Sequence, residues 1–519
     1  MISSSTIAGS AVLTLVNAEC WERKPVNMKT AVRVPVFLDA VKPSTRHATI
    51  APVPIIAQGR RHTTAKRRIH SSQVGGSQSA ILPSIQTVPT TGQVHPPKTS
   101  SYTTPKRNET PCLSTLPLSQ VLRTYLITAI SSSPALLGAS SNILRHMLDS
   151  KSLLFSLERN PIARAILLET FFKQFCVGPD PADVRKICQE LRQQGYAGVI
   201  LEYALEVLKD AEGNEVEDVA TWKKGMLDSV SMAQGGDFVA MKWSGMGPAA
   251  LRLCAAQKPP SKIMDEAMHA VCKAAAAKDL ALLPSAEETW NLDGYHAWTI
   301  KLQREYNRKG RGVIYNTYQC YLHQTPVYLA RHLKLARQEN FTHCAKLVRG
   351  AYLSSEPREL IQPTIEATHA AYDGVMSALI ERRYNDILRP LDSNTTTNSW
   401  PESNVMLATH NAETVALAQT LRRAQTASST PHTPLVFAQL QGMADEVSMS
   451  LIASNKGDNT TGPSERVFKA TNWGTMEQCL NYLLRRAAEN KDAASRTAGT
   501  RRAMGSEIWR RSLVSVGMA

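Results

Sequence analysis

Positively charged residues close short apolar stretches of this sequence, where a buried strand would ordinarily end in another apolar residue. Lys242 follows the stretch 238–241, and Lys346 and Arg349 stand on either side of the pair 347–348. An unpaired buried charge is costly and either finds a partner or changes its protonation state. Each cation is therefore either an exposed residue at the edge of the fold or part of a site that binds an anionic or electron-rich group.

The residues after Arg349 favour close approach by a ligand. Gly350 and Ala351 are small, so something flat or anionic can lie next to the backbone, and the aromatic Tyr352 follows at once. Cations and backbone N–H groups at a strand end can hold a phosphate or the electron-rich pyrimidine edge of a flavin. The alternative is a glycine turn with surface charges.

A second group of charges lies near the C-terminus, in a stretch with helical periodicity. Arg485 and Glu489 are four residues apart, so on a helix they can form an ion pair that fixes the guanidinium. Arginine binds carboxylates through two parallel hydrogen bonds, and Arg485 and Arg486 can share one carboxylate only if the ligand lies against the flank of the helix. A solvated basic patch is equally compatible with the spacing.

Several other chemistries lack their motifs. Residues 245–250 (GMGPAA) resemble a dinucleotide-binding turn, but Pro248 lacks an N–H that a pyrophosphate would need, and no second unit of that type follows. No Walker motif, HExxH or GxSxG occurs, and the nine cysteines show no close metal-binding or redox spacing. The sequence predicts no metal site.

The formal charge of +15 is concentrated in the first 108 residues, which hold fourteen Lys/Arg and three acids. The remaining 45 basic and 41 acidic residues nearly balance, which argues against a nucleic-acid-binding fold. Residues 1–108 are rich in Ser, Thr, Pro and Arg, so we expect a disordered segment of the mitochondrial transit type; a basic tail without that role is the alternative. No stretch of about 18 uncharged apolar residues exists, so any membrane contact is predicted to be peripheral.

Beyond this segment, residues 109–178 are predicted to form an N-terminal helical arm, with helices over 118–130, 134–148 and from Asn160-Pro161 to Phe175. Residues 179–519 then alternate short apolar strands with amphipathic helices. The predicted strands are 198–201, 238–242, 280–283, 312–315, 345–348, 405–409, 435–440 and 466–469. The predicted helices are 181–194, 262–277, 295–308, 325–339, 364–383, 412–424 and 476–490. Two polar stretches, 392–403 and 426–434, are predicted as surface insertions.

Eight such repeats favour an α/β fold, a distorted (β/α)8 TIM-like barrel, over an open doubly wound sheet. Active groups of these barrels lie at the C-terminal ends of the strands. The positions that this rule selects are Lys242, Glu287, 316–319, 349–352, 410–411 and Leu440.

Five segments together resemble the proline dehydrogenase family, in particular its fungal mitochondrial members. They occur in the family's order and span roughly residues 165–491. The segments are 316–322 (NTYQCYL), 346–352 (KLVRGAY), 408–411 (ATHN), 439–443 (QLQGM) and 482–490 (YLLRRAAEN).

The resemblance implies that FAD binds at the strand C-termini, with proline stacked over its ring. Lys346 and Asn316 would hydrogen-bond the flavin ring, and Arg349 would meet the phosphates. The remaining implied cofactor contacts are the backbone of Val348, Gly350 and Ala351, and the side chains of Thr409, His410 and Asn411.

For the substrate, the resemblance implies that Arg485 and Arg486 clamp the carboxylate of L-proline while Glu489 holds an arginine in place. The rest of the implied pocket is Lys242, Tyr352, Leu440 and Tyr482. The implied reaction is hydride transfer from proline to FAD, which gives Δ1-pyrroline-5-carboxylate, the first step of proline catabolism to glutamate. Membrane quinone is the implied electron acceptor, with peripheral association on the matrix side of the mitochondrial inner membrane.

Two departures from the family pattern leave the substrate open. Ser285 stands where the family often has an aspartate, and Ala470 stands where an aromatic residue is usual. A hydroxyproline dehydrogenase on the same scaffold is therefore an alternative, as is a sensor that binds flavin or proline without turnover.

Overall fold

We describe the fold from a computed structural model of the protein. The described residues are 111–150, 152, 160–205, 212–391, 400–455, 464–489 and 497–518, without the side chains of Asp149 and of residues 485–489. The predicted disordered segment 1–108 and most of the predicted insertion 392–403 lie outside these residues. The other predicted insertion, 426–434, contains the last residues of a helix and the loop that follows it.

The sheet is a barrel of parallel strands. Along its circumference the order is β4-β3-β2-β9-β8-β7-β6-β5, and the short strand β1 pairs in parallel with the end of β9. The strands are β1 (Cys176–Gly178), β2 (Gly198–Tyr203), β3 (Phe238–Met241), β4 (Ala281–Pro284), β5 (Asn316–Gln319), β6 (His343–Val348), β7 (Ser403–Ala408), β8 (Leu435–Leu440) and β9 (Arg466–Trp473).

The ring closes between β4 and the residues that lead into β5. The N–H of Leu282 donates to the carbonyl of Val313 at 2.7 Å, and the N–H of Tyr315 donates to the carbonyl of Leu282 at 2.9 Å. The predicted (β/α)8 barrel is confirmed. The fifth strand was predicted too early, at 312–315, because Asn316–Gln319 is polar although all four of its residues are buried.

Helices surround the barrel and form the predicted N-terminal arm. Two of the predicted helices have the predicted limits, Lys262–Ala277 and Thr325–Glu339, and the others differ at their ends. The helices are α1 (Leu118–Ser131), α2 (Pro134–Asp149), α3 (Pro161–Leu167), α4 (Lys173–Phe175), α5 (Pro181–Gln193), α6 (Glu215–Met232), α7 (Pro248–Ala255), α8 (Lys262–Ala277), α9 (Leu292–Tyr306), α10 (Thr325–Glu339), α11 (Ile365–Glu381), α12 (Ala412–Ala427), α13 (Asp445–Ser454), α14 (Met476–Glu489) and α15 (Ala498–Ser515).

Helix α6 was not predicted, and its packing explains why. Gly225 lies in its middle, which lowers helix propensity, yet a Cβ at this position would come within 2.3 Å of the Tyr203 ring. The glycine lets α6 pack closely on the end of β2. Among the described residues, no helix is both long and apolar enough to cross a membrane.

An apolar cluster fills the inside of the barrel, with residues from every strand or strand approach except β1. Because side chains of a strand alternate between its two faces, the members of this cluster identify the inward positions. They are Ile200, Phe238, Ala240, Ala281, Leu283, Tyr315, Cys344, Met406, Val436, Ala438 and Phe468, with Ala408 and Ala470 partly exposed beside them. The larger core lies outside the sheet, between strands and helices.

Candidate active site

Polar side chains follow the inward apolar cluster toward the C-terminal ends of the strands. Continuing the alternation places Glu202, Lys242, Gln319, Lys346 and Asn472 on the inner face, one step above the apolar cluster. Glu202 and Asn472 are paired residues of neighbouring strands, so their side chains share this face. We call these five residues the inner polar layer. It lies where a barrel of this kind carries its active site.

Lys346 is the central cation of the inner polar layer. Its side chain is partly buried and keeps partial contact with solvent. We call the space at the strand C-termini above the inner polar layer the recess. Burial lowers the pKa of the Lys346 ammonium; Glu202 acts in the opposite direction, and the nearby Lys242 adds to the lowering. The recess therefore holds two cations and one carboxylate close enough to influence one another.

Lys242 and Tyr352, two residues of the predicted substrate pocket, lie close together. The Nζ of Lys242 lies 3.5 Å from the hydroxyl of Tyr352 and 5.9 Å from the centre of its ring. The Tyr352 hydroxyl donates to the carbonyl of Ala286 at 2.9 Å, and the carbonyl of Lys242 accepts a hydrogen bond from Trp222 Nε1 at 3.0 Å. These bonds fix the ends of β3 and β4 around the pair.

Gln319, one of the strand-end positions 316–319 selected from the sequence, joins three strand ends. Its Nε2 donates to the carbonyl of Glu287 at 2.8 Å, and its Oε1 accepts the N–H of Ala351 at 3.0 Å. The amide therefore joins the ends of β4, β5 and β6. The alternation that starts at the inward Tyr315 identifies this residue, as it identifies Glu202 two residues beyond Ile200.

Arg349 is held rigidly at the end of β6. It donates to Nδ1 of His369 at 2.9 Å, to Oγ1 of Thr409 at 2.6 Å and to Oγ1 of Thr414 at 2.8 Å, and it stacks 4.4 Å from the centre of the Tyr372 ring. Within the described residues these bonds use three of the five N–H groups of a guanidinium, which leaves two for a ligand.

The N-terminus of α12 lies beside Arg349. Asn411 caps this helix by accepting the N–H of Thr414 at 2.8 Å, and its own N–H donates to Oγ1 of Thr409 at 3.1 Å. Free N–H groups at a helix start and a fixed guanidinium both favour an anion such as a phosphate. Arg349, Thr409 and Asn411 are thus brought together as predicted.

The small residues after Arg349 serve packing as well as access. A Cβ on Gly350 would come within 2.4 Å of the Tyr321 ring, so the strand end can lie on this ring only with glycine. The carbonyl of Val348 accepts the N–H of Cys320 at 2.9 Å. Because the N–H of Ala351 is already donated to Gln319, the structure does not leave this group for the predicted cofactor contact.

Two further predicted residues meet at the ends of β7 and β8. His410 is exposed, and its Nε2 accepts the N–H of Leu440 at 3.1 Å. The Leu440 side chain is also exposed, at the rim of the barrel. An exposed leucine beside an open recess provides an apolar surface for a ligand.

Tyr482 lies by the ends of β2 and β9, next to β8 along the barrel. It is buried in a cluster with Phe172, Cys176, Ala204 and Cys479. Ala204 continues the inward face of β2 beyond Glu202, and its N–H donates to the carbonyl of Trp473 at 3.0 Å. The first half of α14 is therefore attached to the ends of β2 and β9. Residues 485, 486 and 489 belong to the same helix, but the side chains of Arg485, Arg486 and Glu489 lie outside the described part of the structure.

The structure does not bring Asn316 into the recess. Its side chain faces outward, with Nδ2 at 2.9 Å from Nδ1 of His296 on α9 and 3.4 Å from Nδ1 of His332 on α10. The physical reason is the alternation of β5, which turns Asn316 and Tyr318 away from the inner face that Gln319 occupies. The predicted flavin contact of Asn316 is corrected accordingly.

The recess fits a flat ligand that carries an anionic group. Below the inner polar layer, the small inward residues Ala408 and Ala470 are only partly buried, whereas Ala240 and Ala438 belong to the buried apolar cluster. The Oδ1 of Asn472 is buried and accepts no hydrogen bond from the described residues, so it awaits a donor. Within the described residues no cluster of His, Cys, Asp or Glu has the composition to hold a metal ion.

Comparison with known proteins identifies the family. The proline dehydrogenase family model matches residues 184–499, more than half of the chain. This chain belongs to the proline dehydrogenase family.

Individual relatives agree with this assignment. The chain is 34% identical over 230 residues to a probable mitochondrial proline dehydrogenase of Schizosaccharomyces pombe. The aligned region covers 44% of this chain and 45% of that protein. The chain is 32% identical over 257 residues to human mitochondrial proline dehydrogenase 1, with 48% and 38% covered. A rat hydroxyproline dehydrogenase is 28% identical over 256 residues, with 47% and 51% covered. The chain thus matches about half of these relatives' length or less.

A solved structure shares the fold. Proline utilization A of Bdellovibrio bacteriovorus, inactivated by N-propargylglycine, superposes with a TM-score of 0.51 at 15% sequence identity. The superposition covers 72% of this chain and 37% of the bacterial chain.

Proposed function

We propose that this protein oxidises L-proline to Δ1-pyrroline-5-carboxylate with FAD as the hydride acceptor. The observation that carries the proposal is the inner polar layer, in which Lys346 stands with Lys242 and Glu202 in a recess at the strand C-termini. Membership of the proline dehydrogenase family supports the same reaction.

FAD fits the residues around this recess. Lys346 would hold the electron-rich edge of the ring, and Arg349, with its two remaining N–H groups, would bind the phosphates beside the α12 N-terminus. Thr409, His410 and Asn411 would line the part of the cofactor between ring and adenosine. Bound FAD supplies the two-electron acceptor, so the protein's task is to place the substrate carbon and to exclude water.

The substrate would lie between the ring and α14. Lys242, Tyr352, Leu440 and Tyr482 surround the opening from three sides and supply both apolar contact and charge. Arg485 and Arg486 are proposed to clamp the substrate carboxylate, with Glu489 holding an arginine in place. A bidentate clamp of this kind orients the ring nitrogen and its neighbouring carbon, which is how orientation lowers the barrier.

We further propose that the electrons pass to membrane quinone on the matrix side of the mitochondrial inner membrane. The names of the relatives support a mitochondrial location. The acid-poor composition of residues 1–108 supports it as well.

Hydroxyproline is the second candidate substrate. Ala470 faces inward and is only partly buried, so the inner face of β9 leaves space for a substituted ring. The buried Oδ1 of Asn472 could accept a hydrogen bond from a hydroxyl group. Two relatives are hydroxyproline dehydrogenases, from rat and mouse.

Turnover of both substrates tests the proposal. Purified protein is expected to form Δ1-pyrroline-5-carboxylate from L-proline with a soluble dye as acceptor, and to be slower with trans-4-hydroxy-L-proline at equal concentration. Arg485→Met should raise the KM for proline by about 10- to 100-fold with FAD still bound, whereas Arg423→Met, an exposed arginine on α12, should have no effect. Faster turnover of hydroxyproline would assign the second substrate, and protein that binds no flavin would refute the enzyme.

A further inference from the structure

Helix α1 exposes its most apolar side. Of its fourteen residues only Arg123 is charged, and this side chain turns inward to donate to Gln174 at 3.0 Å. The exposed side carries Leu118, Leu122, Tyr125 and Leu126, which are between 37% and 61% exposed. A surface helix normally turns its polar side to water, whereas α1 carries apolar residues on its exposed side as well as on its buried side, where Val121 and Ile127 lie.

Helix α15 extends this apolar surface. Gly505 packs against the Tyr125 ring: a Cβ there would lie 3.2 Å from a ring atom. Trp509, one turn further along the same side of α15, is 67% exposed. We define the α1 face as Leu118, Leu122, Tyr125, Leu126 and Trp509.

The surroundings of the α1 face are basic. Helices α1 to α4, the π-helical turn Leu168–Phe172 and helix α15 contain eight Lys/Arg and three acids. Four of these eight basic residues are already engaged: Arg510 and Arg511 pair with the buried Glu507, Lys173 pairs with Glu169, and Arg123 bonds to Gln174. Arg502 is exposed on the same side of α15 as Trp509. Apolar side chains, an exposed tryptophan and flanking arginines are the combination that binds the interface of an anionic bilayer.

The α1 face is attached directly to the barrel opening. Gln174 Nε2 donates both to Oγ1 of Thr124, on the buried side of α1, and to the carbonyl of Gly442, two residues after the end of β8. The Gly442 position requires glycine, since its φ is +73° and a Cβ would meet the Gln174 carbonyl. A partner bound to the α1 face therefore lies next to the rim that carries Leu440.

We propose that the α1 face is the surface by which this protein binds an anionic lipid bilayer. The inference deepens the proposed function and rests on it for the need to reach an electron acceptor dissolved in a membrane. Without charged residues around it, an apolar surface of this kind would suit a second copy of the chain as well as a bilayer. The excess of arginine around it favours an anionic surface over another copy, which would bring like charges together.

Vesicle flotation of the full chain tests the proposal. The wild-type protein is expected to float with vesicles of phosphatidylcholine and phosphatidylglycerol, and to float less with added salt or with phosphatidylcholine alone. The double variant Leu122→Glu/Leu126→Glu should lower binding by about 100-fold, roughly tenfold for each apolar side chain. Arg502→Gln should lower it by about fivefold.

A matched control is Leu417→Glu, which alters a leucine of α12 that is similarly exposed and should bind vesicles as the wild type does. The double variant should still reduce a water-soluble dye with proline at the wild-type rate. If the double variant reduces the dye normally and floats as well as the control, the α1 face is not the lipid-binding surface. The proposed function would be unaffected by that result. Flotation of the wild type without any proline oxidation would refute the function and leave the lipid surface standing.

Cross-linking distinguishes the possible binding partners of the α1 face. A photoreactive benzoylphenylalanine at position 126 is expected to label lipid when the full chain is bound to vesicles. Labelling of residues 1–110 of the same chain would assign the α1 face to that segment, and labelling of a second copy would assign it to a dimer. Either result would overturn the proposal.

Discussion

The two faces of β5 and β6 carry buried polar residues in similar numbers, but they differ in how these groups are satisfied. On the outer face, Tyr318 bonds to His332 at 2.8 Å and to His343 at 2.9 Å, and Asn316 bonds to His296. On the inner face, Lys346 keeps partial contact with solvent, while Gln319 beside it is buried and bonded to Glu287 and Ala351. Among the described residues the outer side chains bond mainly to one another, although Nδ1 of His343 is buried without a partner. Lys346 instead keeps its contact with solvent and can meet a ligand.

This difference shows that polarity near a strand end does not by itself indicate function. A buried polar network whose members satisfy one another stabilises and orients the fold. A buried cation in an open recess does not stabilise the fold in this way. Removing it from water costs free energy unless contacts with a bound ligand offset that cost. Asn316 and Lys346 were both predicted to contact the flavin. They differ in the structure because Asn316 lies on the outer face of the barrel and Lys346 on the inner face.

The largest effect is expected for Lys346→Met. Loss of this cation should lower kcat/KM for proline by about 10²- to 10³-fold, the range for removing one electrostatic contact to a reacting group. Unfolding free energy should stay the same or rise, because burial already lowers the pKa of Lys346 and disfavours its charge. Dye-coupled kinetics and urea unfolding measure the two quantities, with the exposed Lys186→Met as control. A large loss of unfolding free energy would show instead that Lys346 stabilises the fold, as the polar residues of the outer face do.

The outer histidines should make stability depend on pH. Burial lowers the pKa of His296 from 6.5 to about 4, so the unfolded chain takes up a proton below pH 6.5 while the folded chain stays neutral until about pH 4. His296 should therefore remove up to about 3 kcal/mol of unfolding free energy as the pH falls through this window. Urea unfolding at several pH values should show a shallower fall for His296→Gln. An unchanged slope would contradict the buried neutral state.

Arg349→Lys tests the inner side at the α12 N-terminus. Lysine keeps the charge but loses the planar fork that contacts Thr409 and Thr414. The Kd for FAD should rise by about 10- to 100-fold, which corresponds to about 1.5–3 kcal/mol for hydrogen bonds to a charged group. Titration of the apoprotein with FAD measures this. An equal Kd for FAD in the variant and the wild type would contradict a role of Arg349 in binding the cofactor.

Asn316→Leu should separate stability from catalysis. The substitution is similar in size but leaves His296 and His332 without their amide partner, at a cost of about 1–3 kcal/mol in unfolding free energy. The kcat/KM of the folded fraction should equal that of the wild type. A loss of activity as large as that of Lys346→Met would show that the two faces do not differ in the way described.

Tyr352→Phe should have the smallest effect. The contact between its hydroxyl and Lys242 is long, at 3.5 Å, and Lys242 stays partly solvated. We expect the KM for proline to rise by about two- to fivefold, as for one weak hydrogen bond. Steady-state kinetics would show this, and a change in kcat alone would argue that the hydroxyl acts on the reaction rather than on binding.

Sequence periodicity predicted the barrel and most of its helices because their apolar faces repeat regularly. Helix α15 was missed because its packing on α1 leaves much of it exposed and gives no clear apolar side. The site residues that follow apolar stretches, such as Lys242, were found from the sequence. Glu202 was not selected, and Gln319 was selected only by its position within 316–319, since only the alternation along β2 and β5 in the structure identifies the face of each side chain.

We propose that Lys346 and its neighbours hold a flavin that L-proline reduces. The most direct measurement is the visible absorption spectrum of the purified, FAD-loaded protein before and after anaerobic addition of L-proline. We predict that the flavin band bleaches rapidly in the wild type and in Asn316→Leu, and at least about 100-fold more slowly in Lys346→Met. A flavin that stays oxidised in the wild type, or bleaching at equal rates in all three proteins, would contradict the account.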